Sequence, residues 1–124
     1  MSELAEFWTE RHLCTVTTIR RDGTPHSVPV GAIYDPETAK AWIITSGKSQ
    51  KVRNIEYTGK IAICQIDGRR WSTIEGYAVI ERDPEAVRDA ERRYARRYKQ
   101  PRENPDRVVI MVTVLRVLGT YRPN

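Results

Sequence analysis

The residues best equipped for chemistry lie together in Thr45-Ser-Gly-Lys-Ser-Gln-Lys51, where a strand pattern gives way to a helical one. The free N–H groups and dipole of a helix start suit a phosphate. Thr45, Ser46 and Ser49 add hydroxyls. Lys48 and Lys51, at i and i+3, share one helix face. Gly47 lets the backbone bend close to a ligand. The GxxxxGK[ST] pattern of a P-loop is missing. The same residues also make a plain capped helix start; the two lysines tilt the balance toward an anion.

Other chemistry is sparsely represented. Cys14 and Cys64 fall inside strand patterns and read as small core residues. His26 follows Pro25 at a strand start, as an exposed or capping ring or as the rim of a pocket. Glu75 in a strand and Asp67 in a turn make no acid–base pair. His12 and His26 are far apart in sequence, and no Cys/His spacing resembles a zinc site, so no metal is expected. No catalytic side chain is assigned. Trp71 follows Arg69 and Arg70 just after a turn, as a core anchor or as a flat surface for an aromatic ligand.

These residues need elements to hold them. Residues 2–12 have an amphipathic helical pattern, with Leu4, Phe7 and Trp8 on one stripe. Residues 13–20 are β-branched and read as a strand, closed by a turn at Asp22-Gly23. Residues 25–34 form a second strand, in which Pro25 and Pro29 argue for an edge or a bulge. Residues 40–46 form a third. The spacing then predicts a helix over 48–58, strands over 60–66 and 71–82, and a helix from Asp83-Pro84 to about Tyr98. Gly76 inside the long strand marks a bulge or a close backbone approach. In the last helix Val87, Ala90, Tyr94 and Tyr98 make the inner stripe, and the basic residues take the other faces. A final strand covers 107–118. Six antiparallel strands of this length suffice to close a small barrel.

Composition bounds the rest. A chain of 124 residues is one domain, 1–124, able to bury a core without disulfides. Two cysteines make no disulfide framework. No apolar run approaches a membrane span, and the N-terminus lacks the apolar core of a signal peptide, so a cytoplasmic chain is expected. The net charge is +5, yet Arg92 to Arg102 holds Arg92, Arg93, Arg96, Arg97, Lys99 and Arg102 without one acid. That window suggests a solvated helix face or an anionic ligand nearby. No recognition motif accompanies it, so nucleic acid is not expected as a partner.

The stretches ERHLCTVTTIRRDGTPHSVPVGAIYD, ITSGKSQKVRNI, CQIDGRRWSTIEGYAVI and VRDAERRYARRY follow one another in that order. Their order and spacing resemble the split β-barrel flavin/deazaflavin oxidoreductases, the pyridoxamine-phosphate-oxidase-like family, and within it the members that use coenzyme F420. The resemblance implies a mainly β fold with flanking helices, a six-stranded antiparallel split barrel, paired as a homodimer. It implies hydride transfer from reduced coenzyme F420 to a small conjugated acceptor, biliverdin or a similar tetrapyrrole. On this likeness the cofactor phosphate lies on Ser49 and Lys51, with Lys48 and the hydroxyls of Thr45 and Ser46 nearby. The ring lies against Pro29, Val30, Gly31, Ile44 and Thr45. Trp71 of the other subunit closes the groove, and Arg69 and Arg70 are placed to meet the acceptor's carboxylates. The family often carries a second basic residue where this chain has Ser49. FMN as cofactor, or a non-catalytic binder of the same ligands, are the alternatives.

Overall fold

The computed structural model describes residues 2–121. Seven strands and three helices follow in the order α1 (Glu3–Phe7), β1 (Cys14–Ile19), β2 (Pro25–Val30), β3 (Ile33–Asp35), β4 (Lys40–Ser46), α2 (Gln50–Tyr57), β5 (Lys60–Asp67), β6 (Arg70–Glu81), α3 (Pro84–Arg97) and β7 (Arg107–Gly119). All strand pairs are antiparallel, in the sheet order β2-β1-β5-β6-β7-β4-β3.

That order forces the sheet to curl. Laid flat, its two edge strands would stand about 29 Å apart at ~4.8 Å per spacing. Yet β2 and β3 are joined through only Gly31 and Ala32, a link that reaches at most about 11 Å. The sheet therefore rolls into a barrel that stays split where β2 passes into β3.

The split corrects the sequence reading. A single strand over 25–34 is broken, and the strands number seven, not six. The cause is α3. Tyr98 accepts from the Ala32 N–H at 3.1 Å and donates its one proton to the His12 carbonyl at 2.6 Å. Arg97 donates to the Ala32 carbonyl. With both backbone groups of Ala32 taken by side chains, the ladder cannot run through. Gly31 is packed so tightly that a Cβ there would lie 2.8 Å from Cε2 of Tyr94. The prolines do mark an edge, as expected, because β2 is one edge of the sheet.

The first helix is also shorter than the pattern suggests. Ser2 caps it, accepting from the Ala5 N–H at 3.1 Å. It ends at Phe7, whose carbonyl accepts from Nε2 of Gln65 at 2.8 Å. Trp8 then turns inward, with its indole N–H on Oγ of Ser72 at 3.0 Å. The bulge falls where Gly76 predicts it, between Glu75 and Gly76. A Cβ at Gly76 would lie 1.9 Å from the Thr113 carbonyl oxygen.

The barrel interior is apolar, built from Phe7, Trp8, Val16, Ile43, Ile63, Ile74 and Ile110 among others. Cys14 is buried there, and both cysteines are free. A smaller cluster of Trp42, Ala90 and Val109 fixes α3 to the outside of β4 and β7. Among the described residues no helix is long and apolar enough to cross a membrane.

Candidate functional site

The strand-to-helix segment is built first by its own hydrogen bonds. Ser49 caps α2, its hydroxyl accepting from the Val52 N–H at 3.4 Å and from Oγ1 of Thr45 at 3.4 Å. Ser46 donates to the Asp106 carboxylate at 3.0 Å, and the Gly47 N–H meets the Asp106 carbonyl at 2.8 Å. Arg53 reaches back one turn to the Lys48 carbonyl at 2.8 Å. Behind it, Gln50 donates to Asn54, and buried Asn54 donates to Oγ1 of Thr18 at 2.9 Å. The start of α2 is thus tied to β1 and to the loop before β7. Three hydroxyls read as ligand groups already serve this frame.

Lys51 is the exception. It is half-buried, and its ammonium is held below the ordinary lysine range by loss of water. It lines a cleft of about 600 Å³ together with Pro29, Val30, Gly31 and Ile44. These five residues, expected from the resemblance to surround one cofactor, are brought together. The opposite wall comes from Tyr94 on α3 and the segment Lys99-Gln100-Pro101-Arg102 behind it, with Arg107 at the start of β7. Arg107 pairs with Glu91 at 2.7 Å. Among the described residues Lys51, Lys99 and Arg102 make no ion pair. The cleft therefore offers an apolar side, a desolvated ammonium and two further cations in the opposite wall. A planar ring carrying a phosphate fits that donor set.

Other expected residues stand elsewhere. Lys48 lies in the turn before the Ser49 cap, so it does not share a face of α2 with Lys51 as the spacing suggests, and it is exposed and does not line the cleft. Arg69 is exposed in the β5–β6 turn. Arg70 is bound to Glu10 at 2.9 Å and to Asp67, and stacks over the Phe7 ring. Trp71 is 38% exposed on the outer face of β6. None of Arg69, Arg70 and Trp71 reaches the cleft of its own chain. Around Arg70, Glu10 is lowered to about 2 by its hydrogen bonds from Arg70 and then His12. Glu10, His12 and Asp67 bring ligand atoms within 4.8 Å of one another. The Arg70 guanidinium sits on both carboxylates and makes this an ion-pair cluster.

The sequence reading ties the basic run that holds Lys99 and Arg102 to an anionic ligand, and the structure puts these two on the cleft wall. One feature escapes it. Arg97 belongs to the same run but is 8% exposed, not on a solvent face. It donates to the carbonyls of Glu10 (2.9 Å) and Ala32 and to Oε1 of Gln65.

The model of the pyridoxamine 5′-phosphate oxidase family matches residues 1–121. Over 114 residues the chain is 52% identical to the F420H(2)-dependent biliverdin reductase of Mycobacterium tuberculosis, covering 92% of this chain and 83% of that one. A solved structure of a conserved hypothetical protein from Mycobacterium tuberculosis superposes with a TM-score of 0.81 at 26% identity, over 96% of this chain and 84% of the other. An F420 reductase superposes with a TM-score of 0.75 at 24% identity, over 91% and 94%; at that identity the likeness speaks to the fold alone. Sequence along nearly the whole chain and backbone architecture thus agree, and the chain belongs to the pyridoxamine 5′-phosphate oxidase family.

Proposed function

We propose that this protein is an oxidoreductase that uses reduced coenzyme F420 to reduce biliverdin or a similar tetrapyrrole. One observation carries the reading: Lys51, half-buried and without an acid partner, stands over the apolar floor of Pro29, Val30, Gly31 and Ile44. The 52% identity to a reductase of that name supplies the cofactor and the acceptor.

When bound, the deazaflavin supplies the hydride, so the chain's own task is to bind and orient. Lys51 holds the phosphate, with Ser49 at the helix start, Lys48 close by in sequence and Thr45 and Ser46 framing the turn. Pro29, Val30 and Gly31 give the ring an apolar wall. Gly31, with no side chain, lets Tyr94 pack close behind that wall. Lys99 and Arg102 draw the anionic tail toward the cleft mouth. No carboxylate lines the cleft among the described residues, which fits a site that positions two reactants at ~3–3.5 Å and does little proton chemistry itself.

The acceptor side is completed by a second copy. The outer faces of β5, β6 and β7 carry Ile66, Trp71, Tyr77, Val79 and Leu115, all exposed. A homodimer formed through this face covers them and carries Trp71, Arg69 and Arg70 of one copy toward the cleft of the other. There the arginines meet the propionates of the tetrapyrrole. The free cysteines support a cytoplasmic site of action.

Fluorescence titration with coenzyme F420, with FMN in parallel, tests the reading. Saturable F420 binding is expected, weakened roughly 10- to 100-fold in Lys51→Ala, the value of a charged hydrogen bond. Biliverdin should then be consumed in the presence of reduced F420. FMN binding without F420 binding would move the protein to the flavin branch of its family.

A further inference from the structure

The two walls of the cleft meet at a side chain that lines neither. Tyr98 caps the C-terminal end of α3, and the residues that follow it, Lys99 to Arg102, form the cationic wall. Its ring lies against the other wall: a Cβ on Gly31 would stand 3.0 Å from Cε2 of Tyr98. Its hydroxyl accepts from the Ala32 N–H at 3.1 Å and donates to the His12 carbonyl at 2.6 Å. Burial raises the phenol above the ordinary tyrosine range, so it keeps the proton it donates. Two neighbours fix the ring. Tyr94 stands beside it with centroids 5.0 Å apart. Arg97 lies against it and holds the Ala32 carbonyl.

The strands on either side of the Gly31–Ala32 link are the two edges of the sheet. No ladder crosses between them, so side chains of α3 hold the link in place, with Tyr98 at their centre. We propose that Tyr98 is a positioning residue for the cofactor, fixing the spacing between the Pro29–Gly31 wall and the Lys99–Arg102 wall. This rests on the cofactor reading of the cleft and adds a residue that acts through Gly31 and Lys99 without touching the ligand. A cofactor that spans both walls needs them at the right separation, and a spacing set before binding saves the cost of ordering them. A small anion on Lys51 needs only the start of α2, which is tied to β1 through Asn54 and Thr18 and not to α3.

Tyr98→Phe keeps the ring on Gly31 and removes the hydroxyl. Titrations with coenzyme F420 and with inorganic phosphate are expected to part. The dissociation constant for F420 rises about tenfold, the net worth of one hydrogen bond, while that for phosphate stays at the parent value. A merely structural tyrosine would lower the melting temperature and leave both constants alone, which would overturn the proposal. Equal losses for both ligands would also overturn it, since the anion site alone would then account for them. If the variant does not fold, the parent carries the test through hydrogen exchange of the Ala32 amide, whose acceptor is the Tyr98 hydroxyl. By linkage, a ligand that needs the link in place must also hold it there. Exchange is expected to slow about tenfold or more with saturating F420 and to stay unchanged with phosphate. Unchanged exchange with F420 bound would remove Tyr98 from cofactor positioning and leave the cofactor reading standing. A parent that binds phosphate but not F420 would overturn the cofactor reading and this role with it.

Discussion

Arg97 carries a charge into the interior and meets only neutral oxygens there, two backbone carbonyls and the amide of Gln65. It also lies against the rings of Trp8 and Tyr98. Its three acceptors belong to the segment after α1, to the β2–β3 split and to β5, so one side chain joins three parts of the barrel. Arg97→Ala strands those acceptors, each of which costs on the order of 1–3 kcal/mol when buried and unmade. A loss of about 3 kcal/mol is expected in urea unfolding. Arg97→Lys should recover only part of it, because an ammonium cannot reach three directions at once. None of this is legible from sequence, where Arg97 is one arginine in a run of exposed ones. Lys51, Pro29, Val30, Gly31 and Ile44 are legible, because a strand-to-helix turn and a family pattern place them together. Tyr98 is visible as one member of an inner stripe; that its hydroxyl holds the β2–β3 link needs coordinates.

Elements are read from period, and the period is reliable where one face meets the core. The strands of β1, β4, β5, β6 and β7 fall within a residue or so of their expected limits. The misses come where a distant side chain replaces a local hydrogen bond. Residues 25–34 look continuous because nothing in their pattern says that Tyr98 will take the Ala32 N–H and Arg97 the Ala32 carbonyl. Likewise α1 stops because Gln65 takes the Phe7 carbonyl. Gly76 is the opposite case, a local signal with a tertiary cause. Its bulge brings β6 against Thr113 so closely that no side chain fits. Gly76→Ala must move one backbone or the other and is expected to cost roughly 3 kcal/mol or prevent folding. Gly68→Ala meets no atom within 4 Å and carries only the strain of φ +63°. It should cost about 1–2 kcal/mol. Thermal melts of the pair separate crowding from backbone strain, and equal losses would show that the bulge can relax.

At the scale of the molecule, the cleft and the acceptor-side residues stand apart in a single chain. The cleft lies at the split, on β2, β4 and the segment behind α3. Arg69, Arg70 and Trp71 lie on the β5–β6 hairpin and do not line it. Between them runs an outer sheet face in which Ile66, Tyr77, Val79 and Leu115 are each more than half exposed. A groove of about 600 Å³ follows the bulge there, lined by Ala62, Tyr77 and Leu115 and crossed by the Glu75–Arg116 pair at 3.3 Å. Apolar patches of this kind are rarely left open to water. A two-fold pairing would cover the face in both copies at once and could bring each hairpin to the other's cleft. Leu115→Arg and Tyr77→Glu test this without touching the core, since exposed substitutions cost a chain little of its own stability. Analytical ultracentrifugation is expected to show twice the chain mass for the parent and a single chain mass for the double variant. The variant should still bind phosphate through Lys51 but reduce biliverdin at least tenfold more slowly. A parent that is monomeric and fully active would mean that one chain completes the site alone, and that the outer face serves something else.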